Sequence, residues 1–236
     1  MRRVAFLLLL MLAAVARSQL PGDAATDMAS HGWVVVQVPG EQSASLAHVP
    51  PRTPTQHAGP APSGRLRAVA TLSQRPTHIA ADASSVYMLF VPDSAGERQI
   101  MMLSVRPTGV RDLWIRSPET RFVLVGTLTD VERVFGLAVH GGQLHALVEN
   151  EEGVELLARV GSEWVAVEHP GFDASATLRL SASETGLHVV EQGASTWRVH
   201  ALRHGTWDRQ TLRLPEGDPP LRFAGVWRDE VIALGE

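Results

Sequence analysis

The sequence contains no cysteine and no lysine, and only one asparagine, Asn150. Without Cys the chain cannot form disulfides, iron–sulfur clusters or Cys-based zinc sites, and it has no Cys nucleophile or Cys-linked lipid anchor. All 21 basic residues are Arg, and this Arg-rich, Asn-poor composition is typical of a GC-rich bacterial genome. We therefore expect the hydrophobic core to hold the folded protein together.

A strong net charge is also missing, and so is any long apolar run after the N-terminus. The formal net charge is -4 and 44% of the 236 residues are hydrophobic, which is typical of a globular protein with a real core. Such a charge gives no strong attraction to nucleic acid or to anionic membranes. We expect no nucleic-acid partner, and no membrane span once the N-terminal segment is removed.

The first sixteen residues have the features of a secretory signal peptide. Arg2 and Arg3 precede an uncharged apolar run over residues 4–16, which ends in the small-residue motif Ala14-Val15-Ala16. Thirteen apolar residues are too few to span a bilayer as a helix, which takes about 20. The pattern predicts cleavage after Ala16 and a secreted or periplasmic product. The alternatives are a buried N-terminal helix and an uncleaved anchor.

The rest of the chain divides into four regions. Residues 17–32 form an N-terminal segment, and residues 33–39, "WVVVQVP", read as a strand. Residues 40–64 are rich in Pro, Ser, Ala and Gly without periodicity, which predicts a flexible loop. Over residues 65–236, short β-branched and apolar runs alternate with turn residues every eight to twelve positions, and no helical stripe occurs. This pattern predicts an all-β domain.

A longer period organises these strands. Leu144-His145 and Leu187-His188 are 43 residues apart, and so are Trp164 and Trp207. Each unit reads as an inner strand, a turn, a strand with Leu-His, a third strand, and an outermost strand that opens with Trp. Four strands in about 43 residues is the size of one β-propeller blade.

Two further copies suggest how the array ends. One begins at Pro76, and another begins at Arg222 and stops after two strands, with Val231 in the place of Leu187. Trp33 has the context of an outermost strand without inner strands before it. We predict an array of about four antiparallel four-stranded blades, the last completed by residues 33–39 pairing with residues 230–234. A shortened relative of a larger propeller, an open array, and half of a two-chain ring remain open.

The repeat units resemble kelch-type β-propeller repeats. The resemblance is carried by Gly142-Gln143-Leu144-His145 with Trp164 and Pro170, and by Gly186-Leu187-His188 with Trp207 and Pro215. It implies the propeller fold. It does not imply an activity, because propellers include enzymes, receptors and scaffolds.

Candidate metal sites have little support in the sequence. His140 and His145 flank a Gly-Gly turn, and His200 and His204 are four residues apart, which along a strand is roughly 13 Å. We favour core or interblade positions for His145 and His188. The acidic stretch over residues 149–152 could bind calcium but reads more simply as a solvated hairpin. We therefore predict no metal ion and no cofactor.

No nucleophile or nucleotide-binding motif occurs either, because G-x-S-x-G, Walker-A and G-x-G-x-x-G patterns are all absent. One group of Arg residues is a candidate docking surface for an acidic partner or a polyanionic glycan, but the simpler interpretation, which we favour, is scattered solvated Arg side chains on strand edges. The group consists of Arg106, Arg111, Arg116 and Arg121 around Trp114.

The sequence favours an exported, non-catalytic binding module with an unknown protein or glycan partner. The alternatives are a secreted carbohydrate-active enzyme with a site in a central channel, and a truncated remnant of a larger propeller. An enzyme would bring Asp82, His140 and Glu184 together on the axis. The catalytic residues are unknown, and the positions singled out are structural repeat positions. An incomplete ring would favour oligomerisation.

Overall fold

The computed structural model describes residues 25–28, 33–37, 44–48, 67–72, 75–82, 85–90, 98–104, 123–193, 196–213, 223–227 and 230–234. These residues form eighteen β-strands in five antiparallel sheets, so the all-β prediction is confirmed. In this part of the chain, no helix has the length and hydropathy needed to cross a membrane. The predicted signal peptide over residues 1–16 lies outside the described residues.

Four sheets have four strands each and are called the first to fourth blades. The first contains β1 (Ala25–Met28), β2 (Trp33–Gln37), β3 (Ala44–His48) and β4 (Arg67–Leu72), and the second contains β5 (His78–Ala81), β6 (Ser85–Phe90), β7 (Arg98–Ser104) and β8 (Val123–Leu128). The third contains β9 (Arg133–His140), β10 (Gln143–Asn150), β11 (Gly153–Val160) and β12 (Glu163–Val167), and the fourth contains β13 (Thr177–Ala182), β14 (Leu187–Gln192), β15 (Thr196–Arg203) and β16 (Thr206–Arg213). In the described residues the fifth sheet contains β17 (Phe223–Trp227) and β18 (Glu230–Leu234).

Each blade is a meander in which neighbouring strands of the chain pair with each other. The first strands of successive sheets lie beside one another, β5 next to β9, β9 next to β13, and β13 next to β17. The blades therefore radiate outward from a row of inner strands, which is the arrangement of a β-propeller. The prediction of about four such blades is confirmed.

Apolar side chains between successive blades form the core. Val35, Leu46 and Leu72 of the first blade pack with Val86 and Met88 of the second. The next cluster joins the second and third blades, and another joins the third and fourth. Complete burial of one Leu, Val or Met side chain contributes about 2 kcal/mol, so these interblade layers stabilise the array.

Both faces of a blade are covered, and β10 shows this most directly. Five consecutive residues from Leu144 to Val148 are buried. Leu144 and Val148 belong to the cluster shared with the second blade, and Leu147 belongs to the cluster shared with the fourth. Because successive side chains of a strand point to opposite faces, a continuous buried run requires a neighbour on each side.

The turns of two tight hairpins lie beside the candidate site, at one end of the strands of the third and fourth blades. Gly141 and Gly142 join β9 to β10 with φ of +59° and +75°. His204 and Gly205 join β15 to β16 with φ of +51° and +78°. Two-residue hairpin turns favour positive φ at both positions, because that twist matches the twist of the flanking strands.

The predicted closure by an N-terminal strand is wrong. Residues 33–37 form β2, which pairs with β1 on one edge and with β3 on the other. Both of its ladders are occupied, and β18 pairs with β17. Trp33 therefore opens the second strand of the first blade and not the outermost strand of the last.

Two regions outlined from the sequence contain strands of the first blade. Residues 44–48 form β3 inside the stretch read as a flexible loop over residues 40–64, and Leu46 is completely buried there. Residues 25–28 form β1 inside the N-terminal segment over residues 17–32. Composition favoured a loop, but the interblade contact of Leu46 decides the conformation. Residues 49–64 lie outside the described residues.

Candidate functional site

A cleft of about 630 Å³ opens between the third and fourth blades. Three turns meet there: β9–β10, β13–β14 and β15–β16. The lining residues are His140, Gly141, Gln143, His145, Val167, Glu184, Thr185, Leu187, Leu202, His204 and Gly205. The volume lies in the usual range for small-molecule sites.

Two imidazoles of the cleft are held in a defined tautomer. His140 Nδ1 lies 3.3 Å from the carbonyl oxygen of Ser183, and His145 Nδ1 lies 3.0 Å from that of Gln143. A carbonyl oxygen only accepts, so each Nδ1 carries the proton and donates it. In the neutral rings, both Nε2 atoms are then hydrogen-bond acceptors. No described residue bonds either Nε2 atom.

His145 is the more buried of the two, with 5% of its surface exposed. Burial lowers its pKa from 6.5 to about 4, the bond to the Gln143 carbonyl opposes this shift, and the nearby His140 adds to it. The ring is therefore neutral at physiological pH. Gln143 pairs with His140 across the hairpin and His145 pairs with Ala138, so both imidazoles rise from the same face of the third blade.

The remaining lining groups give the cleft an apolar floor and a polar rim. Leu187 is buried, and Val167 and Leu202 are partly buried beside it in the core of the third and fourth blades. Glu184 is exposed at the rim, and His204 lies at the tip of the β15–β16 turn. Among the described lining residues there is no Arg, so the cleft presents no permanent cation.

The structure brings together two of the three residues predicted to mark an enzyme. His140 and Glu184 both line the cleft. Asp82 belongs to the second blade, where its Oδ1 accepts a 2.8 Å hydrogen bond from the main-chain nitrogen of Ser85 in the β5–β6 turn. The three side chains do not share one site among the described residues.

Most of the predicted repeat positions lie at corresponding places in the sheets, and Trp33 in β2 does not. Leu144 is the second residue of β10, Leu187 is the first residue of β14, and Val231 is the second residue of β18. Trp164 and Trp207 each stand second in the outermost strand of their blade.

A buried hydrogen-bonded pair in the fourth blade, Glu191 and His200, was not predicted. Glu191 Oε2 lies 2.7 Å from His200 Nε2 and 3.6 Å from Arg198, and Glu191 Oε1 accepts a 2.8 Å hydrogen bond from the main chain of Asp173. The pairing of Glu191 with Arg198 across β14 and β15 brings these groups together. That register is not visible in a sequence spacing of nine, so the sequence signal was only a His and a Glu on neighbouring strands.

The other His and acidic candidates have structural partners. His188 is buried, with its Nε2 3.0 Å from the Ser183 hydroxyl. In the acidic hairpin, Asn150 accepts hydrogen bonds from the main chain of Glu152 and Gly153. In the described part of the chain, no three His, Asp or Glu side chains are grouped to hold a metal ion. The Arg series around Trp114 lies outside the described residues.

Comparisons with known proteins give distant structural similarity. No protein-family model and no curated protein matches the chain. Similar solved structures include a prolyl endopeptidase (15% identity, TM-score 0.49, 91% of this chain and 33% of that chain) and a GH43 glycoside hydrolase engineered for endo-xylanase and exo-arabinofuranosidase activity (12%, 0.46, 85% and 42%). Another is the WD40 domain of SCAP from fission yeast (13%, 0.42, 88% and 47%). The chain spans less than half the length of each, and at this similarity none carries a conclusion about function.

Proposed function

We propose that the protein is a non-catalytic binding module with a β-propeller-like fold, and that the cleft between the third and fourth blades is its ligand site. One observation supports this most directly. Two imidazoles on one face of a hairpin have their Nδ1 protons fixed by carbonyl oxygens, which leaves two acceptor atoms above an apolar floor. Oriented polar groups around an apolar cavity are the usual form of a small-molecule site.

The residues of the cleft favour binding over hydrolysis. A carbohydrate-active enzyme uses two carboxyl groups on opposite sides of the bond that it breaks. Among the described lining residues, Glu184 is the one carboxylate, and it is exposed at the rim. The enzyme alternative therefore lacks its second acid in this cleft.

The proposal also covers where the protein acts, what class of partner it binds and which type of repeat it contains. The signal-like residues 1–16 support export to the periplasm or the cell exterior, with a protein or glycan partner there, and the Leu-His and Trp spacing supports kelch-like repeats. Mass spectrometry of the exported protein tests the first point, because cleavage after Ala16 leaves Arg17 as the first residue.

Backbone NMR tests the ligand site. A small molecule from a screened ligand library that binds the protein should shift the amide resonances of Gly141, Thr185 and Gly205, which line the cleft, and should leave those of the second blade unchanged. The variant His140→Phe should weaken binding, whereas the matched variant His78→Phe in β5 should not. Binding that maps to another surface and is indifferent to His140 would overturn the proposal.

A further inference from the structure

We propose that the cleft binds an uncharged saccharide, with His140 and His145 accepting hydrogen bonds from neighbouring hydroxyl groups. This inference rests on the proposed function and adds the chemical class of the ligand. It depends on the hydrogen-bonding capacity, the floor and the charge of the cleft.

The first step is the balance of donors and acceptors. In a neutral imidazole whose Nδ1 donates to a carbonyl oxygen, Nε2 is an acceptor, so His140 and His145 can each offer one acceptor to a ligand. The carboxylate of Glu184 also accepts. The side-chain nitrogen of Gln143 already donates to the Arg159 carbonyl at 3.4 Å. The Thr185 hydroxyl already bonds the Ser183 hydroxyl at 3.2 Å, and the exposed His204 ring also lines the cleft. A ligand that satisfies the two imidazole acceptors and the Glu184 carboxylate supplies donors, and vicinal hydroxyl groups supply two donors at adjacent positions.

The second step is the floor. Val167, Leu187 and Leu202 present carbon atoms beneath the polar rim. A pyranose ring has hydroxyl groups around its edge and carbon-bound hydrogens on its faces, so it can place one face on this floor while its edge meets the imidazoles. A wholly apolar ligand would leave the imidazole acceptors without partners, which is unfavourable in a partly desolvated site.

The third step is charge. The described lining residues include one anion, Glu184, and no Arg, and the chain has no Lys at all. His145 stays neutral at physiological pH because burial holds its pKa near 4. A uronate, sulfate or phosphate group in the cleft would face a carboxylate with no Arg or Lys among the described lining residues, so anionic sugars should be excluded.

Calorimetric titration at pH 7.5 tests the proposal, with cellobiose, maltose, lactose and xylobiose as neutral probes. Digalacturonic acid and sulfated lactose are the anionic probes. At least one neutral disaccharide should bind and shift the amides of Gly141 and Thr185, and the anionic probes should bind at least tenfold more weakly. His140→Phe keeps the ring but removes the acceptor, and should weaken neutral binding about five- to tenfold.

Two variants sharpen the result. Glu184→Gln removes the anion from the rim and should reduce the discrimination against digalacturonic acid. His78→Phe, in the second blade, should change neither affinity. Equal or tighter binding of the anionic probes in the cleft would overturn the ligand class and leave the binding site in place. Failure of every neutral probe would also overturn the class. A cleft that responds to no probe, including a peptide library and the anionic sugars, would overturn the proposed function as well.

Discussion

The indole Nε1 of Trp207 donates a 2.7 Å hydrogen bond to the main-chain carbonyl of Glu168, the residue that follows the outermost strand of the preceding blade. Trp164 makes the same kind of bond one blade earlier, to the carbonyl of Thr127 in β8 at 3.1 Å. In both cases the Trp of an outermost strand connects its blade to the outer strand of the blade before it. The repeated Trp therefore has a structural role at the rim of the array.

Replacing either Trp by Phe should lower the free energy of unfolding only slightly, and the two losses should add. The flat ring is largely kept and one hydrogen bond is lost, so we expect a loss of about 1 kcal/mol in the free energy of unfolding for Trp164→Phe. For Trp207→Phe we expect about 0.5 kcal/mol, because the hydrogen bond of Trp207 is more exposed than that of Trp164. Urea denaturation measures both. The two bonds are at different blade junctions, so a double variant that departs strongly from the sum would contradict independent roles.

Removing Glu191 should be among the most damaging single changes. Glu191→Ala leaves buried His200 and the main-chain nitrogen of Asp173 without their hydrogen-bond partner, and we expect a loss of about 2–4 kcal/mol in unfolding free energy. The control is Glu149→Ala. Glu149 pairs with Arg133 at 3.0 Å, but the Arg133 side chain is 51% exposed, so that loss should stay within about 1 kcal/mol. Equal losses in the two variants would show that the buried pair has no special contribution.

Gly136 should not tolerate a side chain. A Cβ at this position of β9 would lie 3.1 Å from Leu180 Cβ and 3.2 Å from the Leu180 main-chain nitrogen, where the inner strands of two blades meet. We expect Gly136→Ala to destabilise the protein by about 1–3 kcal/mol in chemical denaturation. Gly126→Ala is the matched change, since its nearest neighbours would be at 3.5 Å, and its effect should lie within about 0.5 kcal/mol. The opposite ranking would contradict the close approach of the blades.

The free energy of unfolding should decrease as the pH is lowered, because of His145. Its pKa is lowered to about 4 in the folded protein, so between pH 6.5 and 4 the unfolded chain binds the proton more readily. The stability that the buried, neutral His145 preserves is fully present above pH 6.5 and is lost as the pH falls to 4. We expect a loss of roughly 2–3 kcal/mol, the free energy that corresponds to lowering the pKa from 6.5 to about 4.

The control for this prediction is His145→Phe, which does not titrate. Its absolute stability differs from that of the parent because the bond to Gln143 is lost. The informative readout is therefore the slope of unfolding free energy against pH between 6.5 and 4. An unchanged slope would assign the pH dependence to other groups.

The blades could be predicted because their information is local. The spacing of Leu144 and Leu187 and the alternation of apolar residues follow from side-chain periodicity and repeat length, and both appear in chain order. The position of Trp33 in its sheet could not be predicted from local patterns of this kind. The stretch "WVVVQVPG" is a short apolar run that opens with Trp and ends at a Pro-Gly turn, and so is "WVAVEHPG" at Trp164. That pattern is shared by second and outermost strands, so it could not assign Trp33 its place in a sheet.

The candidate site could likewise be predicted from the sequence only in part. His140 and Glu184 could be chosen from the sequence as polar residues at the ends of inner strands, and the structure brings both to one cleft. The tautomer of His140 depends on the Ser183 carbonyl of the next blade, 43 residues away. The Glu191–His200 pair likewise depends on the register of two strands. Contacts of this kind could not be read from spacing.

By itself, the sequence determined an all-β chain of repeated four-stranded units, because strand period and turn chemistry act over a few residues. The tertiary structure decided which blade each strand belongs to, that β3 lies within a Pro- and Ser-rich region, and which His faces a cleft. Those outcomes depend on which distant residues share a buried interface. Leu46 is ordered because the second blade covers it, and His145 is neutral because the surrounding protein removes water from its ring.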